Sequence, residues 1–167
     1  VDKVYDTTFF KNTLHKGPPV WEIGAGANMA FRKSIFDEVG LFDELLDVGA
    51  AGCNGDSEMW FRILAKAHTI VYNPRAVVFH EHRSDLAGLR KQIYYYMRGY
   101  TAAALSQQRQ LKASGYYRQL FKRLPIHYLK SIKKGYPNYS SQYETIWVEM
   151  KGVLSGLFFY LKNRNQF

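Results

Sequence analysis

The chain has 167 residues, 47% of them hydrophobic and 22% charged, which is typical of a globular domain with its own core. Its single cysteine, Cys53, excludes an internal disulfide and favours a reducing, cytoplasmic setting. A membrane span is not expected, because the sequence has no run of about 18 or more apolar residues. The sequence starts at Val1 rather than at a methionine, and we expect a fragment of a longer chain.

The formal net charge of +9 is unevenly distributed along the chain. Residues 1–85 carry 12 acidic and 9 basic side chains, whereas residues 86–167 carry 2 acidic and 14 basic ones. The second half therefore predicts an anionic partner: anionic lipid, a polyanionic acceptor or nucleic acid, with a merely solvated basic face as the alternative. Tyrosines interleaved with the basic residues favour peripheral attachment to an anionic membrane surface. Nucleic acid is disfavoured, since no recognised binding motif accompanies the charge.

Strand signals are confined to the first half of the chain. We expect a short strand before residue 16 and further strands over residues 20–23, 69–72 and 76–79. Between them, Ser34 begins a short helix with a capping-box pattern, and Gly40 ends it. A second helix begins at Asp56, which we expect to be its N-cap.

Helical spacing dominates the second half. Apolar residues recur with helical period from Asp85 to about Gln110. Pro125 is expected to divide the next stretch into two short helices, and a final helix covers residues 142–162. The predicted fold class is therefore α/β, with a partial sheet and helices over residues 1–84. A basic helical extension over residues 85–167 is expected to pack on it.

Asp56 is the first candidate for chemistry. At a helix N-terminus the helix dipole stabilises its negative charge, and the carboxylate points out of the helix end. Such a carboxylate suits a base that takes a proton from an acceptor hydroxyl, while a plain N-cap is the alternative. Glu58 lies two residues on and points about 200° away around the helix, so the two should not chelate together.

His80 and His82 are the second candidates. Alternate residues of a strand face the same side, so both imidazoles would enter one pocket, where neutral imidazole can bind metal. A packed or exposed histidine pair is the alternative, because further ligands are not evident from the sequence.

Four short motifs follow one another in order along the chain. The first two are Gly-Ala-Gly-Ala-Asn-Met-Ala-Phe-Arg-Lys at 24–33 and Val-Gly-Leu-Phe-Asp-Glu at 39–44. They are followed by Gly-Asp-Ser-Glu at 55–58, with Arg62, and by His-Glu-His-Arg at 80–83. Together these motifs resemble the C-terminal half of family 2 glycosyltransferases, which have the GT-A nucleotide-diphospho-sugar transferase fold. The resemblance covers about residues 21–99.

The resemblance implies roles for individual residues. Asp56 takes the position of the catalytic base of inverting enzymes, although the glutamate that usually precedes this base is Gly55 here. His80 takes a position that helps to bind the metal or the diphosphate. The residues expected to bind substrate, the first two of them on the acceptor side, are Gly26, Asn28, Glu58 and His82.

The implied activity is transfer of a sugar, with inversion, from a nucleotide-sugar donor to a hydroxyl acceptor, with Mg²⁺ or Mn²⁺ as cofactor. The sequence contains neither the Asp-x-Asp motif of the family's donor half nor the Gln-x-x-Arg-Trp motif of processive synthases. We therefore expect the acceptor-side half of a transferase for cell-envelope polysaccharide, at the inner face of the membrane and inactive alone. The alternative is a non-catalytic binding module whose basic helical tail docks on an anionic membrane or a partner protein. Either is compatible with a homo-oligomer.

Overall fold

The computed structural model describes residues 2–79, 81, 85–135 and 145–167. In its first half, strands β1 (Lys3–Tyr5) and β2 (Ile70–Tyr72) pair antiparallel, with Val4 opposite Val71. The other elements of this half are α1 (Thr7–Leu14), a 3-10 turn (Val20–Glu22), α2 (Ile35–Val39), a second 3-10 turn (Glu44–Leu46) and α3 (Gly55–Ala65). The architecture is mostly helical with a small two-stranded sheet, which is compatible with the predicted α/β class.

The second half is helical in all the elements that the structure describes. They are α4 (Leu86–Gln110), α5 (Tyr116–Arg118), a π-helical turn (Gln119–Arg123), α6 (Leu124–Gly135) and α7 (Ile146–Asn163). Helices α4 and α7 lie side by side and touch through backbone. A Cβ atom added at Gly152 would lie 2.6 Å from the Tyr94 carbonyl oxygen, and one at Gly156 would lie 2.4 Å from that of Arg98. The two glycines therefore set the distance between these helices.

The main hydrophobic core joins elements of both halves. Aromatic rings meet edge to face in it, with the Phe10 and Phe61 centroids 5.4 Å apart. Each large side chain buried there contributes roughly 1.5–3 kcal/mol. The predicted division at residue 84 stays a prediction. The buried members of this core are Phe10, Val20, Ile23, Trp60, Phe61, Leu64, Ala104, Leu105, Tyr116 and Leu120.

Several predicted elements are confirmed. Strand β2 lies within 69–72, and α4 starts directly after Asp85, whose carboxylate accepts a hydrogen bond from the Gly88 N–H at 2.7 Å. Helix α2 ends at Gly40, which has φ +80°, a conformation that glycine adopts without strain. The final helix is confirmed over its described part as α7.

Two predicted strands are wrong. Residues 20–22 form a 3-10 turn, because the two preceding prolines fold the chain back and the Val20 N–H donates to the Pro18 carbonyl at 2.8 Å. Residues 76–79 form no strand. Their β-branched composition fits a sheet, but no neighbouring strand pairs with them among the described residues, and the Phe79 side chain is fully exposed.

Helix boundaries show three further differences. Helix α1 was not predicted, although Asp6 caps it by accepting from the Thr8 and Phe9 N–H groups at 2.9 and 3.0 Å. Ser34 begins α2 as predicted, but it makes no side-chain capping bond. Pro125 does not divide the helical stretch, because a π-helical turn directly before it widens the backbone where its ring would clash.

Candidate active site

Asp56 lies in the first turn of α3, and its carboxylate is held by two backbone N–H groups. Oδ1 accepts from the Ser57 N–H at 2.7 Å and Oδ2 from the Gly26 N–H at 2.9 Å. The prediction that Asp56 is the N-cap is wrong. Asn54 occupies that position with φ 95° and makes no side-chain capping bond, so the chain enters the helix two residues earlier than predicted. The positive end of the helix dipole still stabilises the carboxylate's charge.

Gly26 is the residue that lets Asp56 approach the upstream loop. A Cβ atom at Gly26 would lie 3.0 Å from Oδ2 and 3.2 Å from Cβ of Asp56. The space beside this glycine is therefore filled by the protein's own carboxylate. The structure brings the two residues together across thirty positions of sequence. A role for Gly26 in substrate binding stays a prediction.

Asn28 ties the same loop to the chain that follows β2. Its side-chain Nδ2 donates to the Ala76 carbonyl at 2.7 Å. This bond fixes residues 24–28 relative to residues 73–78, and both segments line an open cleft of about 1120 Å³. The Asn28 side chain is exposed, so its remaining polar groups are accessible from the cleft.

The cleft has an apolar floor and a polar rim. Ile23, Trp60 and Ile63 contribute the floor, and the ring of Trp60 lies beneath Gly24. Asp56 is not itself a lining residue; it adjoins the cleft through Gly26, whose neighbour Ala25 lines it. The polar side chains at the rim are Asn28, Arg32, His68, Thr69, Tyr72 and Asn73.

Arg32 is a rim residue to which sequence reasoning gave no role. It is exposed and brings a positive charge to the cleft. The only sequence signal was its place in the Phe-Arg-Lys end of the first motif. His68, also on the rim, lies 2.9 Å from the Glu38 carboxylate and faces α2.

The loop before α3 is packed firmly against α4. Ala51 is fully buried, and a Cβ atom at Gly52 would overlap the Tyr95 ring at 2.5 Å. On the helix side, a Cβ atom at Gly99 would lie 2.1 Å from the Cys53 carbonyl oxygen. Helix α4 therefore supports the segment that leads into Asp56.

Cys53 lies beside Asp56 in this loop. Burial, and then the negative charge of Asp56, raise the pKa of the Cys53 thiol to about 12. The thiol is protonated at neutral pH and does not act as a nucleophile.

Glu58 faces the interior, away from Asp56, as its position two residues on in the helix predicted. It is almost fully buried, and Arg62 Nε donates to both of its oxygens at 2.8 and 2.9 Å. Burial raises the pKa of Glu58, while Arg62 lowers it. The structure gives this carboxylate a core partner and does not bring it to the cleft; substrate binding by Glu58 stays a prediction.

His80 and His82 lie outside the described residues. Among the residues that the structure does describe, no group of three or more His, Cys, Asp or Glu side chains could hold a metal ion. This part of the chain therefore does not fit the expected Mg²⁺ or Mn²⁺ ion, and the metal stays a prediction.

Residues 5–161 match the model of the glycosyl transferase family group 2, so the chain belongs to this family. The family's activity is glycosyl transfer, with a nucleotide-sugar donor and an acceptor as substrates. Neither a curated protein nor a solved structure matches the chain. Of the helices that the structure describes, none has the length and apolar character needed to cross a membrane.

Proposed function

We propose that the protein transfers a sugar, with inversion, from a nucleotide-sugar donor to a hydroxyl group, and that Asp56 is the catalytic base. One observation carries the proposal: the Asp56 carboxylate is fixed by the Gly26 and Ser57 N–H groups next to an open cleft. Fixed donors hold the carboxylate in one orientation before substrate arrives, so little reorganisation is needed during the reaction.

Asp56 retains the capacity to accept a substrate proton. A carboxylate offers about four lone-pair directions, and the two backbone N–H groups use two of them. In the proposed step, the acceptor hydroxyl oxygen attacks the anomeric carbon of the donor. The bond from that carbon to the diphosphate breaks, the hydroxyl proton passes to Asp56, and the nucleotide diphosphate leaves with the electron pair.

The cleft is proposed to hold the substrates. Its apolar floor, with the indole of Trp60, suits the carbon face of a sugar or a base, and its amide side chains suit hydroxyl groups. Arg32 would pair with the diphosphate, because a guanidinium binds phosphate oxygens in a bidentate manner. Gly26 and Asn28 would line the acceptor side.

Among the described residues, no cluster of His, Cys, Asp and Glu side chains forms a metal site. A divalent ion with His80 as ligand, and substrate contact by His82, remain proposals from the resemblance. We also propose that the chain supplies the acceptor-side half of the enzyme. The absence of Asp-x-Asp from the sequence supports this, and we expect the 167-residue chain to show little transfer on its own.

The test is Asp56→Asn in the full-length transferase that contains this chain. Asparagine keeps the size of the side chain and one acceptor oxygen for the Gly26 N–H, but it loses the acceptor for the Ser57 N–H and cannot take the proton. We expect turnover to fall by on the order of a hundredfold or more. The lost backbone hydrogen bond should cost only about 1 kcal/mol of stability, so the variant stays folded. Asp37→Asn is the matched control, because this exposed carboxylate on α2 makes the same charge change away from the cleft. Near-normal turnover in Asp56→Asn would remove the assignment.

A further inference from the structure

A continuous helical segment, residues 116–135, combines α5, the π-helical turn and α6. Four large apolar side chains on it are exposed, from 42% for Ile126 to 68% for Leu129. The other two members are Tyr117 and Phe121, whose ring centroids are 6.0 Å apart. We refer to Tyr117, Phe121, Ile126 and Leu129 as the apolar stripe.

The spacing within the apolar stripe follows the local helix geometry. Its members are four, five and three residues apart. In an ordinary α-helix, two residues five positions apart do not lie on the same face. The step from Phe121 to Ile126, however, begins within the π-helical turn, which has about one more residue per turn. The wider turn therefore keeps Phe121 and Ile126 on the same side of the segment.

The opposite side of the segment is anchored in the protein. Tyr116 and Leu120 are buried in the main core, and the Tyr116 hydroxyl donates to the Pro18 carbonyl at 3.0 Å. Tyr128 is also buried, and burial together with the nearby charge of Glu149 on α7 raises the pKa of its hydroxyl. These anchors hold the segment in place with the apolar stripe directed outward.

Basic residues flank the apolar stripe. The segment carries six of them and no acidic residue. In the segment that follows α1, the Lys16 carbonyl accepts a hydrogen bond from the Arg123 guanidinium at 3.4 Å. The side chain of Lys16 therefore adds a seventh positive charge close to the segment. All six side chains are exposed, and they are Arg118, Lys122, Arg123, Lys130, Lys133 and Lys134.

We propose that the apolar stripe and its basic flank dock on an anionic phospholipid membrane. An exposed aromatic and aliphatic row bordered by lysines and arginines is the pattern of a helix that lies in the membrane interface. The rings and aliphatic side chains enter the headgroup region, while the long basic side chains reach the lipid phosphates. The predicted membrane contact is thereby assigned to one surface, the apolar stripe with its basic flank. This assignment does not depend on the chemistry of Asp56.

Co-sedimentation of the 167-residue chain with lipid vesicles tests the proposal. The vesicles contain phosphatidylcholine alone or phosphatidylcholine mixed with phosphatidylglycerol. We expect binding to the mixed vesicles only. We also expect binding to weaken as salt is raised above about 0.1 M, where charges are screened over roughly 10 Å.

Two variants separate the apolar and electrostatic contributions. Phe121→Ser with Leu129→Ser keeps the charge, and we expect at least about a tenfold loss of membrane partitioning. Lys130→Gln with Lys133→Gln and Lys134→Gln removes three charges, and the expected loss is on the order of a hundredfold. The matched control changes three exposed lysines of the first half, Lys11, Lys33 and Lys66, to glutamine, with the same net charge and little loss of binding.

Thermal unfolding verifies that each variant is folded, and light scattering gives its oligomeric state. Equal binding to neutral and anionic vesicles, or none to either at low salt, would overturn the proposal. An equal loss in the control triple variant would show that net charge, rather than this surface, is responsible. A dimer that the Phe121 and Leu129 variant dissociates would identify a second copy of the chain as the occupant instead.

Discussion

Gly99→Ala probes how α4 positions the loop before Asp56. An added Cβ atom would lie 2.1 Å from the Cys53 carbonyl oxygen, where real Cβ atoms stay at least 3.0 Å away. Because the obstacle is backbone, the helix and the loop must separate. Overpacking of this kind costs about 1–3 kcal/mol, and alanine recovers up to about 1 kcal/mol of helix propensity.

Because the clash is with backbone, we expect the upper end of that cost and a net loss of about 2 kcal/mol in the free energy of unfolding. For a chain of this size that lowers the unfolding midpoint by roughly 4–8 °C, which calorimetry on the 167-residue chain can measure. In the full-length transferase, a displacement of about 1 Å at Asp56 would lower turnover by about a hundredfold.

Gly156→Ala is the matched control for this prediction. It also places a Cβ atom against a backbone oxygen, 2.4 Å from Arg98, but on the α7 side of α4. We expect a similar loss of stability with turnover largely kept at temperatures where the variant is folded. An unchanged midpoint in Gly99→Ala would refute the contact. Equal losses of turnover in both variants would refute the positioning role and leave only a stability effect.

Two further predictions concern ionisable groups near α3. Arg62→Met leaves the buried Glu58 carboxylate without its partner and should cost about 3–5 kcal/mol in denaturant unfolding. Since folding raises the Glu58 pKa above its usual 4.5, its contribution to stability is fullest below that pH and is lost as pH rises through the folded pKa. The variant should therefore be least destabilised in acid, and a pH-independent loss would contradict this reasoning. Cys53 should react slowly with iodoacetamide at neutral pH, because its thiol pKa is raised to about 12. Asp56→Asn should lower that pKa while burial keeps it above 9.0, and reaction at the rate of a free thiol would show that the loop is open.

Helical periodicity and capping residues, which are local features of the sequence, predicted the helices that they mark. The period of apolar residues and the capping Asp85 gave α4 almost to the residue, and Gly40 gave the end of α2. Interactions between distant residues decided the rest. Strand β1 exists because residues 3–5 pair with residues 70–72, and no local rule specifies that pairing.

The candidate site shows the same limit. Helix-end reasoning placed Asp56 at the start of α3, but it misassigned the cap by two residues because Asn54 adopts a left-handed conformation. The resemblance gave Asp56 and Gly26 roles in one site, but neither it nor their spacing predicted the hydrogen bond between them. Arg32 was missed, because a single arginine after an apolar residue carries no signal until the fold places it on a cleft.

Helix α4 is held between two sets of backbone contacts. On one side Gly99 touches the Cys53 segment, and on the other the Tyr94 and Arg98 carbonyls touch Gly152 and Gly156 of α7. Side chains at a helix contact can absorb small shifts of the helices, because they can change rotamer. At these glycines that compliance is missing, so α4 has little room to shift between the Cys53 segment and α7. Helix α4 therefore gives the loop that leads into Asp56 a rigid backing.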